Sequence, residues 1–209
     1  KQASTDWLAG SVGLSVHWTS HTKPRAGTAK SQVDAVTDFD LDRFIAQVKE
    51  SGARHLIFTV THAEQRIPGP HPVVDYLLPG RTCERDLLGE MAQRLAEENV
   101  RLILYYNHSC NQADDPVWER ACGYHDAPLD LFAARILSIV EYISRRYGKL
   151  LSGWWFDSCY SVDPSGPVSG VTTDIGDWQF PWEALSAAAK SGHPESAVAF
   201  NAGIDREYV

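Results

Sequence analysis

Methionine occurs once in the 209 residues, and cysteine only four times, at Cys83, Cys110, Cys122 and Cys159. None of these cysteines forms a CxxC pair or a zinc-ribbon spacing, which argues against a structural metal. A disulfide, with Cys110 to Cys122 as one pairing, is left open. No apolar run is long enough to span a membrane. Positive charge is also in short supply: 19 Lys and Arg stand against 27 Asp and Glu, a net charge of −8. These charges are scattered, so a dedicated nucleic-acid surface is not expected, and a neutral or cationic small ligand is easier to accommodate than a polyanion. Beyond the rhythm of its elements, the sequence has no internal repeat and no low-complexity segment. It begins at Lys1 without an initiator Met or a signal-like apolar region, which points to an N-terminus that was processed, trimmed or engineered.

What the sequence has in quantity is aromatic side chains, with seven Trp and eight Tyr, within a 44% hydrophobic composition. That is enough apolar material for one domain spanning residues 1–209. Most of these rings are expected in the core. The remainder suit flat platforms in a ligand cleft.

Five short apolar runs punctuate the chain: 13–18, 55–62, 100–107, 151–157 and 197–201. Between them lie helical patterns. Phe39, Leu41, Phe44, Ile45 and Val48 share one stripe behind a cap at Asp38 or Asp40, and Gly52 supplies the stop. Leu87, Leu88, Met91, Leu95 and Ala96 mark a second helix over about 85–99. A long one follows over about 129–147, and another around 182–190. Loops over 19–37, 63–84, 108–128 and 158–180 follow strands, whereas the connections from helix to strand are short. This is strict βα alternation with near-continuous apolar strands, the pattern of a parallel sheet covered by helices. Long loops on one end only are the habit of the (β/α)8 TIM barrel, whose function sits at the C-terminal strand ends. Only five βα units are present, so the chain is either a piece of a longer protein or an open five-stranded sheet; the expectation is the piece, a partial barrel completed by a missing C-terminal part or by an oligomer.

The C-terminal ends of these five runs carry His17 with Trp18, His62, Tyr106 with Asn107 and His108, Asp157, and Asn201. Hydrogen-bonding or stacking groups at every end point to one shared pocket. Asp157 closes the run Trp154-Trp155-Phe156-Asp157, and a carboxylate so placed can attack a sugar anomeric carbon. The plainer reading of Asp157 is a helix-capping or turn aspartate. His17 and His62 can hold substrate hydroxyls or be satisfied buried histidines, and Trp18 suits sugar stacking. Asn107 and Asn201 are equally ordinary as loop-entry residues. His21, His55, His71, His125 and His193 are expected to face solvent.

Several of these segments resemble the α-L-fucosidases of glycoside hydrolase family 29. Gly13-Leu14-Ser15-Val16-His17-Trp18 is similar to that family's GLFIHW strand, and the segment from Glu50 to His62 to its aGAkYvvltaKHHDGF segment. Arg85-Asp86-Leu87-Leu88-Gly89-Glu90 is similar to RDlvgEl, Arg101 to Tyr106 to lrfGlYyS, and Trp154-Trp155-Phe156-Asp157 to the lWfDg that carries the nucleophile. The resemblance implies a retaining exo-glycosidase acting on terminal α-L-fucose or a related sugar of an oligosaccharide or glycoconjugate, without cofactor or metal. It implies Asp157 as nucleophile, with His17, His62, Tyr106 and Trp155 on the sugar. Asn201 resembles the Asn of a later NdR motif.

The chain departs from that pattern at Ala63, Glu64-Gln65, Ser158 and Gly203. Glu183, Glu195 and Glu207 are the downstream acids, and none is placed as the acid/base. Two alternatives stay open. One is a degenerate sugar-binding barrel, favoured by these departures. The other is a metal-dependent hydrolase using His17, His62, His108 and Asp157 as ligands. A periplasmic or secreted location is favoured over a cytoplasmic one.

Overall fold

Alternation of side chains along five parallel strands decides which residues of this protein face the inside of the sheet and which meet a helix. The computed structural model describes residues 3, 5–62, 64–107, 115–124, 129–157, 178 and 180–201. Strands β1 (Gly13–Val16), β2 (His55–Thr61), β3 (Arg101–Asn107), β4 (Leu151–Asp157) and β5 (Ala197–Phe200) form one sheet in the order β1-β2-β3-β4-β5. Every adjacent pair is parallel. Strand order therefore follows chain order without the reversal that marks a doubly wound sheet, which is the winding of a (β/α) barrel. β1 and β5 each pair on one side only, so the described sheet is an arc of a barrel.

Helices α2 (Leu41–Glu50), α4 (Leu87–Glu97), α6 (Asp130–Tyr147) and α7 (Trp182–Ala189) are the crossovers between successive strands. Asp40 caps α2 through the Arg43 amide at 3.0 Å, and Asp86 caps α4 through the Gly89 amide at 3.0 Å. Their apolar stripes close on the sheet. Ile45 and Val48 of α2, Leu88, Met91 and Leu95 of α4, and Ile136, Ile139, Val140 and Ile143 of α6 join Leu56, Phe58, Leu102, Leu104, Trp154 and Phe156 in one buried core. Each such side chain contributes roughly 1.5–3 kcal/mol by leaving water, so this layer dominates stability.

Three further helices lie inside what the sequence presents as loops: α1 (Gln32–Thr37), α3 (Pro72–Leu77) and α5 (Pro116–Cys122). At six or seven residues they are too short to show a stripe, and their legible marks are caps instead. Ser31 accepts from the Asp34 amide, His71 from Val74 and Asp115 from Trp118, with proline in the first turn of α3 and α5.

The Arg85-Asp86 pair is a brace between helices. The Arg85 guanidinium donates to the carbonyls of Val36, Thr37 and Phe39 at 2.9, 3.0 and 3.0 Å, satisfying the end of α1. Asp86, besides capping α4, accepts from Arg146 and from the Tyr147 hydroxyl of α6.

Three expectations about histidine and one about cysteine change here, the first being His193, which is half-buried with Nδ1 2.9 Å from the Leu151 carbonyl. His71 is buried rather than solvent-facing, with Nδ1 accepting from the Val74 amide and Nε2 against the Ile139 carbonyl at 3.1 Å. His55 is half-buried at the N-terminal end of β2. Its ring lies where a side chain on Gly13 would stand, 1.9 Å from an ideal Cβ, and Trp7 covers it edge-on. Cys122 is a buried free thiol, as is Cys83; Cys110, Cys159 and His125 lie outside the described residues. No helix among the described residues is long and apolar enough to cross a membrane.

Candidate active site

Strand register places residues 15, 57, 103, 153 and 197 on one level of the sheet and 59, 105, 155 and 199 on the next. Successive side chains on a strand point to opposite faces. Leu14 and Val16, Leu56 and Phe58, Leu102 and Leu104, and Trp154 and Phe156 all pack into the helix-side core. The alternate residues therefore line the inner face, where Ser15, Trp155 and Ala199 remain exposed.

At the C-terminal end of that face the chain brings together six groups. The Tyr105 hydroxyl donates to Oδ2 of Asp157. Asn201 donates from Nδ2 to Oδ1 of Asp157 at 2.8 Å, and its own amide is held by the Phe156 carbonyl at 2.7 Å. The His17 ring meets His62 edge-on at 4.4 Å between centroids and Tyr105 at 4.8 Å. Trp155, 37% exposed, lies on the same face two residues before Asp157. Both oxygens of the Asp157 carboxylate are thus held by donors, Tyr105 on β3 and Asn201 just past β5, and the two imidazoles meet the Tyr105 ring edge-on.

His62 reaches this cluster because of a bulge. The β2–β3 register shifts between Thr59 and Thr61, so Thr61 pairs with Tyr106 instead of continuing the earlier count. By simple alternation His62 would follow Phe58 and Val60 into the helix layer. The extra residue turns it inward, against His17 and Tyr105.

Two expected contacts do not join the cluster. Trp18 has the opposite parity to His17, and its ring packs on Phe39 and Phe58 in the helix-side core. Tyr106 also points to the helix side. It is fully buried, burial holds its phenol far above the usual range, and its hydroxyl has no hydrogen-bond partner among the described residues. Tyr105 stands in its place. Two adjacent tyrosines in an unbroken apolar strand give no internal sign of which faces inward. The parallel register that sets Tyr105 beside Trp155 is the signal that separates them. Asn107 is buried, and its carbonyl accepts from the Thr61 hydroxyl at 2.9 Å. His108, Ala63, Ser158 and Gly203 lie outside the described residues, as does Glu207.

Two further carboxylates stand in the loops on this end. Glu64 follows His62, and a hydrogen bond from Arg66 Nε at 2.6 Å holds its carboxyl below the usual range. Asp115 is buried and paired with Arg81 at 2.5 Å. Glu183 lies in the first turn of α7, and Glu195 precedes β5 at the far end of the sheet. Among the described residues no group of three His, Cys, Asp or Glu side chains is set to hold a metal ion.

Known proteins resemble this chain in family and fold. A family model described as alpha-L-fucosidase matches residues 28–201. Among solved structures, the endo-fucoidan hydrolase MfFcnA4 of glycoside hydrolase family 107 superposes with a TM-score of 0.66 at 18% identity, covering 96% of this chain and 34% of that one. The alpha-L-fucosidase AlfC from Lactobacillus casei, in complex with its alpha-L-fucose product, gives 0.57 at 15% identity, covering 89% and 66%. A family 29 alpha-L-fucosidase from Bacteroides thetaiotaomicron gives 0.54 at 17%, covering 80% and 35%. This chain therefore spans about a third of the length of the fucoidan hydrolase it matches. By sequence, no curated protein matches it.

Proposed function

The chain belongs to the alpha-L-fucosidase family, and from that premise we propose that it carries the sugar-binding and nucleophile-bearing part of a retaining exo-α-L-fucosidase. Asp157 is the nucleophile, attacking C1 of a terminal fucoside to form a glycosyl-enzyme intermediate that water then hydrolyses. The observation that carries this reading is the double restraint on Asp157, whose two oxygens are held by Tyr105 and Asn201. Such restraint fixes the carboxylate for attack, and a preorganised nucleophile spends no reorganisation at the moment of reaction.

His17 and His62 supply hydrogen bonds to ring hydroxyls. Trp155 offers an apolar wall for the methyl group of a 6-deoxyhexose, a use to which half-exposed indole is well suited. Glu64 is suited to an anionic role, because Arg66 stabilises its charged form; a general acid must instead hold its proton near neutral pH. Asp157 therefore accounts for the first step and for substrates with good leaving groups, which need little protonation.

The test is hydrolysis of an aryl α-L-fucoside. Wild-type protein is expected to turn it over, and Asp157→Asn to lose about 10^3-fold or more in kcat while keeping its fold. Unchanged turnover in the variant would remove Asp157 from the nucleophile's role. Fucose binding by calorimetry without any hydrolysis would instead favour a sugar-binding barrel that has lost catalysis.

A further inference from the structure

The β2–β3 ladder ends at Thr61 with the bulge that turns His62 inward. Glu64 bridges back to His62, and the next backbone groups are gripped from two sides. On one side the Gln65 amide donates to Oδ2 of Asp115 at 3.1 Å. On the other, the Ile67 amide donates to the Arg81 carbonyl at 2.8 Å, and Arg66 donates to the Gly80 carbonyl at 3.0 Å. Arg81 and Asp115 close the ring: two guanidinium nitrogens meet the two carboxylate oxygens at 2.5 and 3.1 Å.

Asp115 also accepts from the Trp118 amide at 3.1 Å as the cap of α5. Asparagine or serine would cap that helix equally well. The charge is the surplus feature, since the Asp115 side chain is only 4% and that of Arg81 12% exposed. A buried ion pair carries a desolvation penalty that good geometry only partly offsets, so it is weak support for stability alone. Its geometric content is specific: a planar bidentate fork joins the loop after β2 to the loop after β3, on the end of the sheet where Asp157 stands.

We propose that Asp115 and Arg81 are a positioning pair for His62, fixing backbone 64–67 so that the imidazole faces the sugar beside His17. The pair acts through His62 and does not touch substrate. This rests on the reading of His62 as a sugar contact.

The test is a double-mutant cycle on aryl α-L-fucoside hydrolysis, joined to imidazole NMR of the unliganded protein. Asp115→Asn is expected to lower kcat/KM about tenfold, mainly through KM, and to cost less than twofold in a His62→Ala background. An equal loss in both backgrounds would overturn the proposal, because a merely structural role does not depend on His62. Arg81→Lys keeps the charge and loses the fork. It is expected to show a smaller loss with the same dependence on His62, and it serves if Asp115→Asn fails to fold. In NMR, the His62 ring signals should shift or broaden in either variant while those of His71 stay in place; unmoved His62 signals would overturn the proposal. That arm needs no turnover, so a wild-type protein inactive on the fucoside refutes the proposed activity and still leaves the positioning role decided.

Discussion

Tyr105 and Tyr106 share a chemistry and a strand, yet one holds the Asp157 carboxylate while the other is sealed against the helices. Their substitution by phenylalanine separates the two roles. Tyr105→Phe removes a hydrogen bond to a charged group, an interaction with a typical magnitude of about 1.5–3 kcal/mol. It is therefore expected to lower kcat/KM for an aryl fucoside by roughly 10- to 100-fold with little change in melting temperature. Tyr106→Phe deletes a buried hydroxyl that has no partner among the described residues. It should leave activity unchanged and alter stability by less than about 1 kcal/mol, with stabilisation as the favoured sign. Steady-state kinetics and thermal melts on the two variants read both outcomes. The reverse pattern would place the wrong tyrosine in the site. The same parity argument sets His17 apart from Trp18, whose ring belongs to Phe39 and Phe58.

Among the elements, α3 depends on the most delicate contact. Its cap is the neutral His71 ring, whose Nδ1 must accept from Val74, and the Tyr142 ring leans against it, tilted by 51° at 4.5 Å between centroids. Burial lowers the His71 pKa below its ordinary 6.5, with the nearby Arg146 acting in the same direction and the Ile139 carbonyl and Asp75 against it. A histidine whose folded pKa is depressed binds its proton more readily when unfolded. Stability is then fully present above about pH 6.5 and falls as pH drops towards the folded value, by at most about 1.4 kcal/mol per pH unit for this one group. Denaturant melts between pH 8 and 5 should show that loss, and His71→Gln should flatten it. An unchanged pH slope in the variant would mean that His71 is not the group responsible.

Such caps also mark the boundary of what sequence could show. The strands, the four long helices and their parallel order follow from apolar runs and stripes, because burial repeats at fixed spacing. α1, α3 and α5 repeat too little to show, and the β2 bulge leaves no trace in composition. Asp157, His17, His62 and Asn201 could be named from their strand-end positions, and Trp155 only from the family resemblance. The choice of Tyr105 over Tyr106 needed the register between neighbouring strands.

At the scale of the whole molecule, the sheet is a parallel arc with helices covering one side and a half-open inner face on the other. The cluster around Asp157 sits at the C-terminal rim of that face, where a (β/α) barrel places its chemistry. The bulk of the chain serves this rim indirectly. Arg85 and Asp86 lock α1, α4 and α6 together, and the helix-side core holds the strands in the register that aligns Asp157 with Asn107 of β3. If Asp157 is the nucleophile, one carboxylate on this rim becomes covalently bonded to the sugar. A 2-deoxy-2-fluoro fucosyl donor with a good leaving group slows breakdown of such an intermediate, so the labelled protein can be digested and its peptides weighed. The account predicts one added fluorofucosyl mass per chain, on the peptide that contains Asp157, and none in the Asp157→Asn variant. A label on another carboxylate, or turnover of the fucoside with no labelled peptide, would contradict it.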